Sequence, residues 1–458
     1  MKPVMKSCIV IFSCIAAASL GCDDTQVPSA PTMPTVLENR VKGGNPDCAL
    51  DGRDKGTGPY DFLCAIEIPG NPLTSSQKTW VEQSNALYFV SDASNNGVDV
   101  IDVRTHTYVG RIGGMAGNVG TGGGTATTNG PGPNSFVSAP VLRRGFGHDD
   151  DDRWFEHGGS HGRVLFVSDG NATVHVVDMD RLQIIKSISV AIPDCDGGTE
   201  TTHYCGRSNE IEYDPVHHLV TVSNPNPLAV AAPHGAALGY VTFISARRPY
   251  RVLGHLSIGA GLEGHVWVPV LNRLVLPVTG VAGGPFVHII NDRTETSEAV
   301  RTIDCTALIG AASTAANNFR ILQNNLWGQL CGRPVRMNAR TGAVLNVVTQ
   351  VGTGDESWLN TSDRNVPTFL VTGNDLRTGL PTTGQASLGI MNAATGEWLQ
   401  NVVNIAGASP SAYAETDEIF TRVLFATATD ATNRCVVKGR GCVVVFARTV
   451  VPHSHDHK

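Results

Sequence analysis

The chain runs to 458 residues with a formal net charge of −7. It has no basic excess to neutralise phosphates, which argues against a nucleic-acid partner. Fifty glycines and 25 prolines against only 16% charged residues point to many short elements joined by turns, and the length leaves room for a large core.

Residues 1–22 read as an export signal. Lys2 and Lys6 give a positive start, and Cys8 to Leu20 form an apolar run shorter than the ~20 residues that span a bilayer. Ser19-Leu20-Gly21-Cys22 resembles a lipoprotein box with Cys22 as the lipidated residue; cleavage near Ala16-Ala17-Ala18 is the competing reading. Residues 23–60 form a tether and N-terminal segment, with Pro28, Pro31 and Pro34 and little apolar periodicity. The expectation is a protein of the periplasm or outer cell envelope, held to a membrane by lipid. Eight cysteines lie beyond the signal as near neighbours: Cys48 with Cys64, Cys195 with Cys205, Cys305 with Cys331, Cys435 with Cys442. In an exported chain an even set of this kind reads as disulfides, with the pairing a guess from proximity. No CxxC, haem-attachment or Cys/His zinc spacing occurs, and the Gly120-Thr-Gly-Gly-Gly124 run lacks the following helix that a phosphate cradle needs; no haem, flavin or nucleotide cofactor is expected.

Residues 61–450 carry a repeat. A β-rich hexamer recurs seven times: Val98–Val103, Val174–Met179, Val241–Ala246, Val287–Asp292, Val335–Arg340, Leu388–Ala393 and Val443–Arg448. Most copies run into turn residues such as Arg340-Thr341-Gly342, then another strand, and most follow a strand such as Leu87–Ser91. Each unit offers about four short antiparallel strands. One such sheet cannot bury both faces alone, but a radial ring of them can. The predicted fold is therefore an all-β, seven-bladed β-propeller. The last copy lacks its outer strand, and Leu63–Pro69 is a strand left over at the start. The expectation is that this N-terminal strand completes the last blade. A His-containing tail, residues 451–458, follows.

The run Leu87-Tyr-Phe-Val-Ser-Asp through Val98-Asp-Val-Ile-Asp resembles the YVTN-type repeat of seven-bladed, lactonase-like propellers. Asn209-Glu-Ile-Glu-Tyr-Asp-Pro215, Gly261-Leu-Glu-Gly264 and Asp355-Glu-Ser-Trp358 resemble an exported bacterial subgroup of that family. The resemblance implies fold and compartment. It does not choose an activity, because such propellers bind, scaffold or catalyse.

Residues just before each innermost strand face the channel mouth. They are read as Trp80, Ser135, Asn209 with Glu210, Glu263 with His265, Asn317 with Asn318, Asp355 with Glu356, and Ser409 with Ser411. Carboxylates and amides from separate blades suit a hard cation. Glu210, Asn318, Asp355 and Glu356 are thus candidate ligands for Ca²⁺ or another divalent ion. His265 with Glu210 would supply acid–base chemistry. Trp80, Asn209, Glu263 and Ser411 would contact a ligand. The competing reading is that these polar groups satisfy backbone and tie blades together. The acidic stretch His148–His161 and the alternating His453, His455 and His457 read as a solvated loop and a frayed tail. Gly158-Gly-Ser160-His-Gly162 lacks the strand-to-helix context of a nucleophile elbow.

Two functions follow. One is a lipid-anchored binding propeller, expected to be a monomer, that takes an envelope protein or small molecule at one ring face. The other is a metal-assisted hydrolase or lactonase at the channel mouth.

Overall fold

The computed structural model describes residue 48 and residues 59–448, except 72, 117–131, 142–161, 193–207, 226–238, 260, 280–283, 353, 355, 362–365, 404–409, 414–421, 428–433 and 438–440. The proposed signal with Cys22, most of the tether, Cys195, Cys205, the acidic loop and the tail lie outside the described residues.

The fold is an all-β propeller. Six blades are each built from four antiparallel strands consecutive in the chain: blade I (79–112), II (136–189), III (211–257), IV (266–302), V (316–347) and VI (357–403). The repeat predicts seven such units, but among the described residues chain-continuous blades number six. The seventh hexamer copy lies instead in a composite sheet. Its order is Tyr60–Glu67, Cys442–Arg448, Arg422–Thr427 and Pro410–Tyr413.

Burial explains why the strands form. The second strand of each blade lies between two others and is covered on both faces. Leu87–Asp92 and Leu219–Asn224 are buried at every position, and such strands read as continuous apolar runs. The fourth, outermost strands meet water: Gln183–Ser189 and Thr296–Thr302 are largely exposed. The first strands of neighbouring blades lie side by side, and Pro410–Tyr413 lies beside both Ser357–Asn360 of blade VI and Thr79–Glu82 of blade I. The core accordingly sits between sheets. Phe89 and Val100 of blade I pack with Leu165 and Val167 of blade II. Val443 and Val445 join Val81 and Tyr88, while Val444 and Phe446 join Leu370 and Leu388.

The hexamer has a physical basis. Its fifth residue caps the turn into the outer strand. Asp102 accepts from the backbone N–H of Arg104 and Thr105 at 2.9 and 3.2 Å. Asp178 and Asn392 repeat this Asx-type turn. In blade V the cap is Asn338, which receives Arg340 N–H and Thr341 N–H, so that copy begins one residue earlier than the sequence pattern places it. The sixth residue is buried: Val103, Met179, Ala246, Ala339 and Ala393, with Asp292 in blade IV.

Among the described residues three disulfides are formed: Cys48–Cys64, Cys305–Cys331 and Cys435–Cys442, each the expected pairing. The first and third both brace the composite sheet. Gln400 of blade VI also clamps Tyr60 through its backbone N–H and C=O at 2.8 and 2.9 Å.

Candidate functional site

The segments entering the inner strands are stitched blade to blade. Lys78 N–H donates to the Asn134 carbonyl, Asn134 Nδ2 to the Ser208 carbonyl, and Asn317 Nδ2 to the Gly354 carbonyl. This rim brings together one polar side chain from each of the six blades: Lys78, Ser135, Glu210, His265, Asn318 and Glu356. All six are buried.

Lys78 is the centre. Its Nζ donates to Glu210 Oε2, to Asn318 Oδ1 at 2.8 Å, and pairs with Glu356 Oε2 at 2.8 Å. Asn318 Nδ2 donates in turn to Glu356 Oε2 at 3.2 Å, and Ser135 Oγ to Glu210 Oε2 at 3.3 Å. A break in strand register between Asn317 and Arg320, with Asn318 at φ +28°, turns the Asn318 side chain to this position. Gly264 makes room for it, since a Cβ there would stand 1.6 Å from Asn318 Oδ1.

Electrostatics follow from burial. Burial alone would favour a neutral Lys78, but Glu210 and Glu356 outweigh it and hold the ammonium above its ordinary pKa. Glu212 is pushed up to about 7, chiefly by burial and against the opposing pull of Arg320 and Lys78. His265 is pushed down to about 4 by burial, so its imidazole is neutral at physiological pH and a weak base. Its Nε2 lies 2.8 Å from Thr221 Oγ1, and its Nδ1 has no hydrogen-bond partner among the described residues.

The expected site residues separate into groups. Glu210, Asn318 and Glu356 converge, and their oxygens are hydrogen-bonded to an ammonium. Asp355 lies outside the described residues. Trp80 sits two residues inside the mouth, half-buried, with its ring edge-on to Trp358 at 5.4 Å between centroids. Asn209 stitches backbone: its N–H donates to the Ser223 carbonyl and its own carbonyl accepts from Ser168 Oγ. Glu263 is half-buried, with its N–H on the Pro277 carbonyl. Ser411 lies on the edge strand of the composite sheet, opposite Leu424.

Sequence reasoning missed Lys78. The signal that would have found it is blade alignment: Lys78 immediately precedes Thr79–Glu82, as Glu210 precedes Ile211–Asp214 and Glu356 precedes Ser357–Asn360. Compared with known proteins, the chain matches no family model and no curated protein.

Proposed function

We propose that this protein is a binding propeller, in which the buried cluster at the mouth is a structural hub and a ligand or envelope partner is taken across a ring face. One observation carries this reading: the carboxylates and amide best suited to catalysis or calcium binding are engaged by Lys78. A divalent cation among the same oxygens would meet a buried like charge, and a lysine above its ordinary pKa offers no free amine for nucleophilic chemistry.

The composite sheet serves in this reading as a seventh blade, closed by Tyr60–Glu67. Support comes from the position of Pro410–Tyr413 beside blades VI and I, from the two disulfides that brace the sheet, and from the likeness to the YVTN-type repeat. Export to an oxidising compartment, with a lipid anchor at Cys22, is part of the same proposal and is supported by the three disulfides.

Calcium titration tests the reading against the metal-dependent hydrolase. The purified protein should show the same melting temperature in EDTA and in millimolar Ca²⁺, and no turnover of lactones or esters. A Ca²⁺-dependent rise in Tm that Glu210→Gln abolishes, accompanied by hydrolysis, would replace the hub with a metal-assisted active site.

A further inference from the structure

Asp292 breaks the repeat. The last hexamer position is a buried apolar residue in the other five blades, Val103, Met179, Ala246, Ala339 and Ala393, whereas blade IV places a carboxylate there. Its side chain is fully enclosed, and neither oxygen accepts a hydrogen bond among the described residues. A buried carboxylate without partners is costly, so a residue of this kind calls for a counter-group.

The neighbouring blade supplies that group. Asp214 ends the inner strand of blade III, and His217 lies in the turn that follows. His217 Nδ1 stands 2.5 Å from Asp214 Oδ2 and 3.4 Å from Asp292 Oδ1. One ligand atom from each of the three residues falls within 4.8 Å of the others. Asp214 keeps its second oxygen on the Val216 N–H at 2.7 Å, which fixes the carboxylate from behind. The ring of Trp267 packs edge-on against His217 at 5.7 Å and walls the group on the blade IV side. Arg273 of blade IV is committed elsewhere: its guanidinium grips both oxygens of Glu298 at 2.6 and 3.0 Å. His217 is about one-fifth exposed, which leaves a route to solvent on an otherwise closed cluster.

From this juxtaposition of an enclosed carboxylate that accepts no hydrogen bond among the described residues with a second carboxylate and an imidazole across a blade boundary, we infer a binding site for one divalent transition-metal ion of the zinc class. Two carboxylates and one imidazole give a three-ligand set of the kind zinc takes, with the fourth position open toward solvent past His217. The imidazole favours zinc, cobalt or nickel over calcium. Asp214 ends its strand and Asp292 directly follows Phe286–Asn291, whereas the Lys78 cluster precedes the inner strands. The metal site is thus on the opposite face of the ring from the mouth and independent of the function proposed for it. Bound there, the ion joins blade III to blade IV.

The test uses the full chain after dialysis against a chelator, with Zn²⁺ measured by equilibrium dialysis and elemental analysis. The comparison is with Asp292→Ala, which installs the alanine that three other blades carry, and with His217→Gln at a partly exposed side chain. Wild type should bind one more equivalent of Zn²⁺ than either variant. Zn²⁺ should also raise its Tm by several degrees, a rise both variants lose. Co²⁺ in place of Zn²⁺ should give a visible absorption band present in wild type and absent from His217→Gln. Equal Zn²⁺ stoichiometry and equal Tm response in wild type and both variants would overturn the inference. If Asp292→Ala does not fold, His217→Gln decides by the same readings.

Discussion

Lys78 shows what a single side chain can hold together. Its ammonium is the hydrogen-bond centre for groups from blades III, V and VI, and all of them are withdrawn from water. Removing one partner of such a cluster leaves the others charged and enclosed, which is far worse than removing all of them. Lys78→Met is therefore expected to cost about 3–5 kcal/mol of stability, measured by chemical denaturation. The triple variant Lys78→Met, Glu210→Gln, Glu356→Gln should recover much of that loss, and strict additivity of the three changes would sink the hub reading. His265 makes the pH counterpart. Its folded-state pKa of about 4 lies below the ordinary value of about 6.5. Between those values the unfolded chain binds more protons than the folded one. Stability is thus fully present above pH ~6.5 and falls as pH drops toward 4. His265→Gln should flatten the Tm-against-pH curve in that window, and an unchanged slope would show that other groups set it.

At the level of strands and turns, the hexamer was readable because two constraints coincide in it. A strand covered on both faces must be apolar, and the turn after it needs an Asx cap. Where one constraint slackens, the reading slips. In blade V, Asn338 is followed by Ala339 and then Arg340, so the sequence pattern falls one residue late of the cap. Inner strands such as Thr79–Glu82 are only four residues long, with three of the four positions buried. They carry no alternation strong enough to fix a register, which is why Trp80 was placed at the mouth and Lys78 was not. An acidic residue at the end of the hexamer, such as Asp292, looks like another cap; what separates it from Asp102 and Asp178 is its place one residue later, after Asn291, which accepts from the Thr294 N–H as the cap. The caps themselves are testable. Asp102→Ala and Asn392→Ala should each cost about 0.5–1.5 kcal/mol in denaturant midpoints, and a larger loss at either would mean the side chain does more than close its turn.

For the whole molecule, the all-β propeller was legible from the repeat alone, and three cysteine pairs fell where proximity placed them. The repeat counts seven equivalent units, whereas among the described residues six blades are chain-continuous and the last copy lies in a sheet that also takes Tyr60–Glu67. That sheet makes its own prediction. Deleting 60–67 would strip Cys442–Arg448 of its outer neighbour and release the Gln400 clamp. The variant should lose thermal stability and become sensitive to limited proteolysis near residue 448, while a variant as resistant as wild type would show the strand to be dispensable. Reduction of the disulfides should lower Tm in the wild-type protein for the same reason, since two of the three brace this sheet.

The pairing of Tyr60–Glu67 with Cys442–Arg448 also dictates an order of events during biosynthesis. Blades I to VI are made of neighbouring strands and can stack one after another as the polypeptide emerges from a ribosome or translocon. Tyr60–Glu67 emerges before all of them and has to wait, with its backbone donors and acceptors unpaired, until the far strand arrives. During that wait it is an open template for any other extended chain. A nascent or truncated product that stops short of Cys442 would keep the template open for good. Such products are expected to be the aggregation-prone species of this protein, and the ones its quality-control proteases find first.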